Sequence, residues 1–362
     1  MILQSIFTKW PNNYQTKIKK QYNNNILLNI MLSAKNITIP FLKKLFQFAS
    51  SPSLFTHQFS KKILVNAFFE PSTRTSLSFE TAMYKLGGNV ITFQKDTSSL
   101  KKGESFGDTI HTLSTYGDVM ILRHPNKDMI EEAEKYSSIP IINAGNGNGE
   151  HPTQALLDLF TIHKHLKRIE FPHHITYLDE WTDGFPVKRL RVLFIGDILN
   201  SRTIHSLIDL LIKFTNITIQ FLPYYGCEPT YGMKAKIFHH CDQKEPIVVD
   251  NDTIKIYDYD IIYSTRLQSE RSEKGEKPHI IINKSFMSQM KKEAIVMHPL
   301  PRNEEIDPEV DDDPRCMYFK QMENGVHIRM SLLANLFYHQ DIPSEKSPND
   351  RSPIPYEDVE LI

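Results

Sequence analysis

Short apolar runs recur along the chain with enough polar sequence between them for a helix. Residues 63–69, 89–93, 118–122, 139–143, 191–195, 217–222, 260–264 and 294–297 have the length and apolar content of buried strands. Helical spacing follows several of them, notably over 152–166, 202–214 and 329–337. Strands alternating with helices predict βαβ units and parallel sheets, hence an α/β fold. The polar, Pro-containing stretch from Glu170 to Lys188 breaks this order and predicts a boundary. Two domains are expected, each a parallel β-sheet flanked by helices. Residues 33–169 plus 325–342 form the first and 170–324 the second, the last helix packing back on the first half. Residues 1–32 are expected to be a poorly ordered extension, and 343–362, rich in Pro and Ser, a flexible tail.

In open parallel sheets, ligands lie beyond the carboxyl ends of the strands. The polar residues that follow each run are therefore where chemistry belongs. After 63–69 comes Pro71-Ser72-Thr73-Arg74-Thr75-Ser76, and then Phe79, Ala82, Met83 and Leu86 at helical spacing. Hydroxyls, a guanidinium and backbone N–H groups at a helix N-terminus make an anion site of a size that suits phosphate. Alone, such a segment is a common helix cap. Its company makes the difference. Later strand ends deliver Arg123-His124-Pro125, Ser201-Arg202, Thr265-Arg266-Leu267-Gln268 and His298-Pro299-Leu300-Pro301-Arg302. The prolines of the last segment deny helix and offer carbonyl oxygens. A glycine-rich turn leads into His151-Pro152-Thr153-Gln154, with Pro152 suited to the first turn of the next helix. There a helix N-terminus disfavours the imidazolium, so His151 is expected to act as a neutral donor. The segment Ser98-Ser99-Leu100-Lys101-Lys102-Gly103-Glu104 forms a polar loop with two cations.

Composition removes several alternatives. Lys+Arg 42 against Asp+Glu 43 gives no excess of charge to favour nucleic acid or an anionic membrane as partner. Cys227, Cys241 and Cys316 are scattered, which supports neither a disulfide framework nor a structural zinc site. No apolar run approaches the ~20 residues of a membrane helix. The run 191–195, followed by Gly196-Asp197, lacks a GxGxxG, so it is not read as a dinucleotide site. No metal cluster and no nucleophile-plus-base pair is apparent, and no cofactor is expected. Cationic heads and neutral donors at strand ends would hold polyanions and offset developing charge without covalent catalysis. No acidic residue precedes Glu70, and lysines recur there. Because the arginines usual in transit peptides are missing from that stretch, a cytoplasmic location is expected over an organelle.

Taken together, these segments resemble the aspartate/ornithine carbamoyltransferase family, and within it the aspartate catalytic chains. The resemblance rests on Phe69 through Ser76, Ser98 through Glu104, Arg123-His124-Pro125, Glu150 through Asp158, Arg202, Arg266-Leu267-Gln268 and His298 through Arg302, in order from about Ser33 to Gln340. Lys101-Lys102-Gly103-Glu104 and Thr265-Arg266-Leu267-Gln268 favour the aspartate enzymes. So does His298-Pro299-Leu300-Pro301, where ornithine enzymes usually read His-Cys-Leu-Pro. A dicarboxylate also needs arginines where a cationic amine would be repelled.

The resemblance implies roles residue by residue. Ser72, Thr73, Arg74 and Thr75 would bind the phosphate of carbamoyl phosphate. Thr75, Arg123 and His151 would polarise the carbamoyl carbonyl, while Gln154 and the carbonyls of Leu300 and Pro301 would hold its amino end. Arg202 would grip one aspartate carboxylate, and Arg266 with Gln268 the other. Lys102 and a loop serine, Ser98 or Ser99, would arrive from a neighbouring subunit of a homotrimer with shared sites. The implied reaction gives N-carbamoyl-L-aspartate and phosphate, an early committed step of pyrimidine synthesis. Two alternatives stay open: a carbamoyltransferase for another amine such as ornithine, and a non-catalytic binding subunit. The resemblance does not address regulatory chains or the proton acceptor for the amine.

Overall fold

The computed structural model describes residues 33–95, 98–166, 190–214, 217–241, 247–268 and 280–340. The expected N-terminal extension, the 170–188 boundary and the C-terminal tail lie outside these residues. The first half runs α1 (Ile39–Ser50), β1 (Ile63–Phe68), α2 (Thr73–Lys85), β2 (Asn89–Gln94), α3 (Phe106–Ser114), β3 (Val119–His124), α4 (Met129–Glu134), β4 (Ile141–Asn146) and α5 (Pro152–Leu166). The second runs β5 (Leu190–Gly196), α6 (Arg202–Leu211), β6 (Ile217–Pro223), α7 (Tyr231–Cys241), β7 (Ile261–Ser264), α8 (Lys284–Ser288) and β8 (Ile295–Met297), and α9 (Tyr318–Gln340) closes the order.

Each half contains one parallel sheet, ordered β2-β1-β3-β4 in the first and β6-β5-β7-β8 in the second. Every strand overlaps an expected apolar run, although β4 is shifted to Ile141–Asn146 from the expected 139–143. Parallel strands covered on both faces need continuous apolar sequence, and β1, β3, β5 and β7 are buried through their central residues. Edge strand β2 is largely exposed, and its sequence is correspondingly mixed.

The strand order reverses between β1 and β3 and again between β5 and β7, and crevices open beyond the carboxyl ends at such points. Helices hold the two sheets in place. α5 packs on α6, and α9 packs on α1, α2 and α5. One apolar cluster joins Phe46 of α1, Phe160 of α5 and Phe337 of α9 to Leu207 and Leu211 of α6. Among the described residues, no helix is long and apolar enough to cross a membrane.

Two helices differ from the sequence expectation. α6 ends at Leu211, before Phe214. α9 begins at Tyr318, well before the expected start at Arg329. Gly325 hides that first part, because an isolated glycine reads as a helix interruption. Here it serves close packing. A Cβ on Gly325 would lie 2.7 Å from an Arg329 Nη1 and 3.1 Å from Leu157 Cδ2 on α5.

Candidate active site

The carboxyl ends of both sheets border one cavity of about 660 Å³. Glu70, Ser72, Arg74, Thr75, Arg123, His151 and Gln154 line it from the first half. Arg202, Arg266, Gln268, Leu300 and Pro301 line it from the second. Thr73 occupies the same first turn of α2 but is not part of the cavity wall. Ser98, Ser99 and Lys102 also stand outside it. The Ser98 hydroxyl donates to the Lys95 carbonyl at 2.8 Å, and Lys102 is exposed at the end of a 3-10 helix, Ser99–Lys102.

The turn after β1 is held from below. Phe69 N–H donates to the Arg123 carbonyl at 2.8 Å, tying the ends of β1 and β3. Asn66 Nδ2 donates to Ser76 Oγ at 2.8 Å and to Glu80 Oε1 at 2.7 Å, fixing the first turns of α2 against the strand. Ser72 occupies the N-cap position, yet its side chain makes no capping bond. The plain helix-cap reading therefore does not account for it.

Among the described residues the lining holds five arginines, Arg74, Arg123, Arg202, Arg266 and Arg329, against one carboxylate, Glu70. Glu70 Oε1 lies 2.8 Å from Arg123 Nε and 3.2 Å from Arg202 Nη2, so it pairs with cations from both halves. Carbonyl oxygens supply further partial charge. Arg202 Nη1 donates to the Gly147 carbonyl at 2.6 Å and Arg123 Nη1 to the Ala144 carbonyl at 3.4 Å. A glycine near the end of β4 makes this possible: a Cβ on Gly145 would sit 3.1 Å from Arg202 Cζ and 3.4 Å from Arg123 Nη1. Arg74 reaches across the cavity, donating from Nη2 to the Leu300 carbonyl at 3.0 Å. Burial, and then neighbouring Arg266, lower its pKa.

His151 is buried, with Nε2 3.4 Å from Thr75 Oγ1. Burial first, then Arg202, Arg123 and Arg329, hold its pKa well below the ordinary histidine value. It is a neutral imidazole among cations. Burial also lowers the pKa of His298; its Nδ1 accepts the Leu300 N–H at 2.8 Å, which leaves the proton on Nε2 to donate to Glu305 Oε1 at 2.9 Å. Gln154 Nε2 donates to Asp158 Oδ1 at 2.9 Å. The backbone N–H of Gln268 donates to Asp197 Oδ2 at 3.1 Å.

Sequence reasoning missed Glu70, Asp158 and Arg329 as site residues. Glu70 was visible only as a neighbour of the Ser72–Thr75 turn, and Asp158 only by its helical spacing from Gln154. Arg329 had no signal, since it lies inside a helix. It is buried, donates to Ser78 Oγ at 3.0 Å and covers the Phe79 ring at 5.0 Å. Burial lowers its pKa to about 10. Among the described residues, no group of three or more His, Cys, Asp or Glu could hold a metal ion.

Two parallel sheets sharing one arginine-rich crevice define a bilobed α/β protein built to receive polyanions. The chain belongs to the aspartate/ornithine carbamoyltransferase family. Residues 31–164 match the model of its carbamoyl-phosphate-binding domain, and residues 188–336 that of its aspartate/ornithine-binding domain. The aspartate carbamoyltransferase catalytic subunit of Clostridium acetobutylicum is 36% identical over 318 residues, spanning 84% of this chain and 97% of that one. Multifunctional protein pyr1-3 of Dictyostelium discoideum is 42% identical over 282 residues, 76% of this chain, which spans only 12% of that relative's length. Trypanosoma cruzi aspartate transcarbamoylase, solved with carbamoyl phosphate and aspartate, is 35% identical with a TM-score of 0.71, over 84% of this chain and 94% of that one.

The depressed pKa of His151 has a measurable sign. The folded state takes up this proton at lower pH than the unfolded chain does. Its contribution to stability is therefore complete above about pH 6.5 and is lost as pH falls toward the depressed value. Nitrogen-15 NMR at about pH 6 is expected to show His151 still neutral, and an imidazolium there would contradict the assigned environment.

Proposed function

We propose that this chain transfers the carbamoyl group of carbamoyl phosphate to the amine of L-aspartate, giving N-carbamoyl-L-aspartate and phosphate in pyrimidine synthesis. The observation that carries the reading is the convergence, among the described residues, of five arginines and the neutral His151 on a single cavity with one carboxylate. Its support from relatives is that full-length aspartate carbamoyltransferase catalytic subunits align with most of this chain.

In this proposal the first turn of α2, with Ser72, Thr73, Arg74 and Thr75, binds the phosphate at the positive end of the helix dipole. Arg123, Thr75 and His151 face the carbamoyl oxygen. Gln154 and the carbonyls of Leu300 and Pro301 accept from its amino group. Arg202 grips one carboxylate of aspartate, exchanging part of its present pairing with Glu70, and Arg266 with Gln268 grips the other. The aspartate nitrogen attacks the carbamoyl carbon, and negative charge grows on the oxygen as the tetrahedral species forms. Preorganised donors offset that charge. When the bond from carbon to the phosphate oxygen breaks, the departing phosphate takes the proton from the attacking nitrogen.

Ser98, Ser99 and Lys102 stand outside this chain's own cavity, which fits their proposed delivery from a neighbouring subunit of a homotrimer. Lys102 then adds a sixth cation beside the aspartate carboxylates.

Replacing Arg123 by Ala is expected to lower turnover ~10²–10³-fold, with a much smaller effect on thermal stability, because Glu70 keeps Arg202 as partner. Near-normal turnover in that variant contradicts the assigned chemistry. Shared sites have a separate readout. Reassembled mixtures of Lys102→Ala and Arg123→Ala chains should regain activity through sites carrying neither lesion, and no recovery in verified mixed trimers contradicts sharing.

A further inference from the structure

We propose that Asp158 is a positioning residue that sets which way the acceptors around the carbamoyl amino group point, acting through Gln154 on one side and Gln321 on the other. The inference rests on the carbamoyl-phosphate reading of the cavity. Asp158 is fully buried on α5, one turn beyond Gln154. Its Oδ1 accepts from Gln154 Nε2 at 2.9 Å and from Gln321 Nε2 at 2.7 Å, and its Oδ2 from the Tyr263 hydroxyl at 2.8 Å. These partners come from α5, α9 and β7, so the carboxylate sits where both halves meet.

Burial pushes the Asp158 pKa up to about 7. Above that pH it is a carboxylate, which accepts and cannot donate, so each amide must turn its nitrogen toward it. The two amide oxygens are then fixed. Gln321 Oε1 accepts the backbone N–H of His298 at 2.9 Å. His298 in turn accepts the Leu300 N–H, and Leu300 presents its carbonyl to Arg74 at the cavity. On the other side Gln154, a lining residue, is left with Oε1 for the cavity. One buried charge thus orders a chain of donors and acceptors that ends, at both limits, in an oxygen. An amino group with two N–H donors needs that polarity. An asparagine amide at position 158 removes the constraint. Gln154 can then turn its NH₂ toward the substrate's NH₂, which costs a hydrogen bond and leaves donors facing one another.

Acetyl phosphate is a suitable probe, because a methyl group replaces the amino group while phosphate and carbonyl remain. At pH 8, dissociation constants for carbamoyl phosphate and acetyl phosphate would be measured on wild type, Asp158→Asn, Tyr263→Phe and Gln321→Leu, each checked for folding by thermal melting. Wild type is expected to prefer carbamoyl phosphate. Asp158→Asn should weaken carbamoyl phosphate about tenfold and acetyl phosphate less than about twofold, one hydrogen bond's worth of discrimination. Tyr263→Phe should keep the preference, and Gln321→Leu should reduce it. Equal weakening of both ligands, or an unchanged preference, in folded Asp158→Asn overturns the positioning role. If that variant does not fold, an unchanged preference in Gln321→Leu does so. A wild type with no preference overturns the carbamoyl reading of the cavity and this role with it.

Discussion

An excess of positive charge around one partly buried cavity is the constraint around which this molecule is arranged. Arg74, Arg123, Arg202, Arg266 and Arg329 border one cavity, and among the described residues Glu70 is the only carboxylate that lines it with them. Like charges in a partly desolvated space repel more strongly than in water. The fold offsets part of that cost with one ion-pairing oxygen shared between Arg123 and Arg202 and with carbonyls of Ala144, Gly147 and Leu300. It leaves the rest to whatever enters. A phosphate and two carboxylates supply negative charge where the protein has withheld it, and binding energy and catalytic stabilisation then come from the same preorganised groups.

The architecture serves that end. Two parallel sheets aim their carboxyl ends at one space, so the ends of β1, β3, β4, β5, β7 and β8 deliver the lining groups without long loops. Gly145 near the end of β4 lets guanidinium groups approach the backbone, and the His298–Pro301 segment turns the Leu300 carbonyl toward Arg74. The helices α5, α6 and α9 carry the load between the halves, and the same helices carry Gln154, Asp158, Arg202, Gln321 and Arg329. Scaffold and site are built from shared residues.

Much of this was legible in the chain because parallel strands are written as uninterrupted apolar runs, bounded by residues whose chemistry differs sharply. The runs at 63–69 and 191–195 could hardly be anything else, and the arginines beyond them stood out. Groups that act on other groups were harder to see. Asp158 looks like an ordinary helix residue until Gln321, far along the chain, is brought within 2.7 Å. Arg329 looks like a surface helix cation until its burial against Phe79 is known. Glu70 needed the third dimension too, since its partners Arg123 and Arg202 are distant in sequence and belong to different halves. α9 was read short because Gly325 interrupts its apolar pattern, although the glycine is what admits Arg329 and Leu157.

The claim that most depends on all of these features is the identity of the second substrate, because arginines at that end of the cavity fit a dicarboxylate and repel a cationic amine. The direct measurement is product formation by the purified protein from carbamoyl phosphate with either L-aspartate or L-ornithine. Carbamoylated aspartate alone is the expected result. Carbamoylated ornithine, or no product from either amine in folded protein, contradicts it.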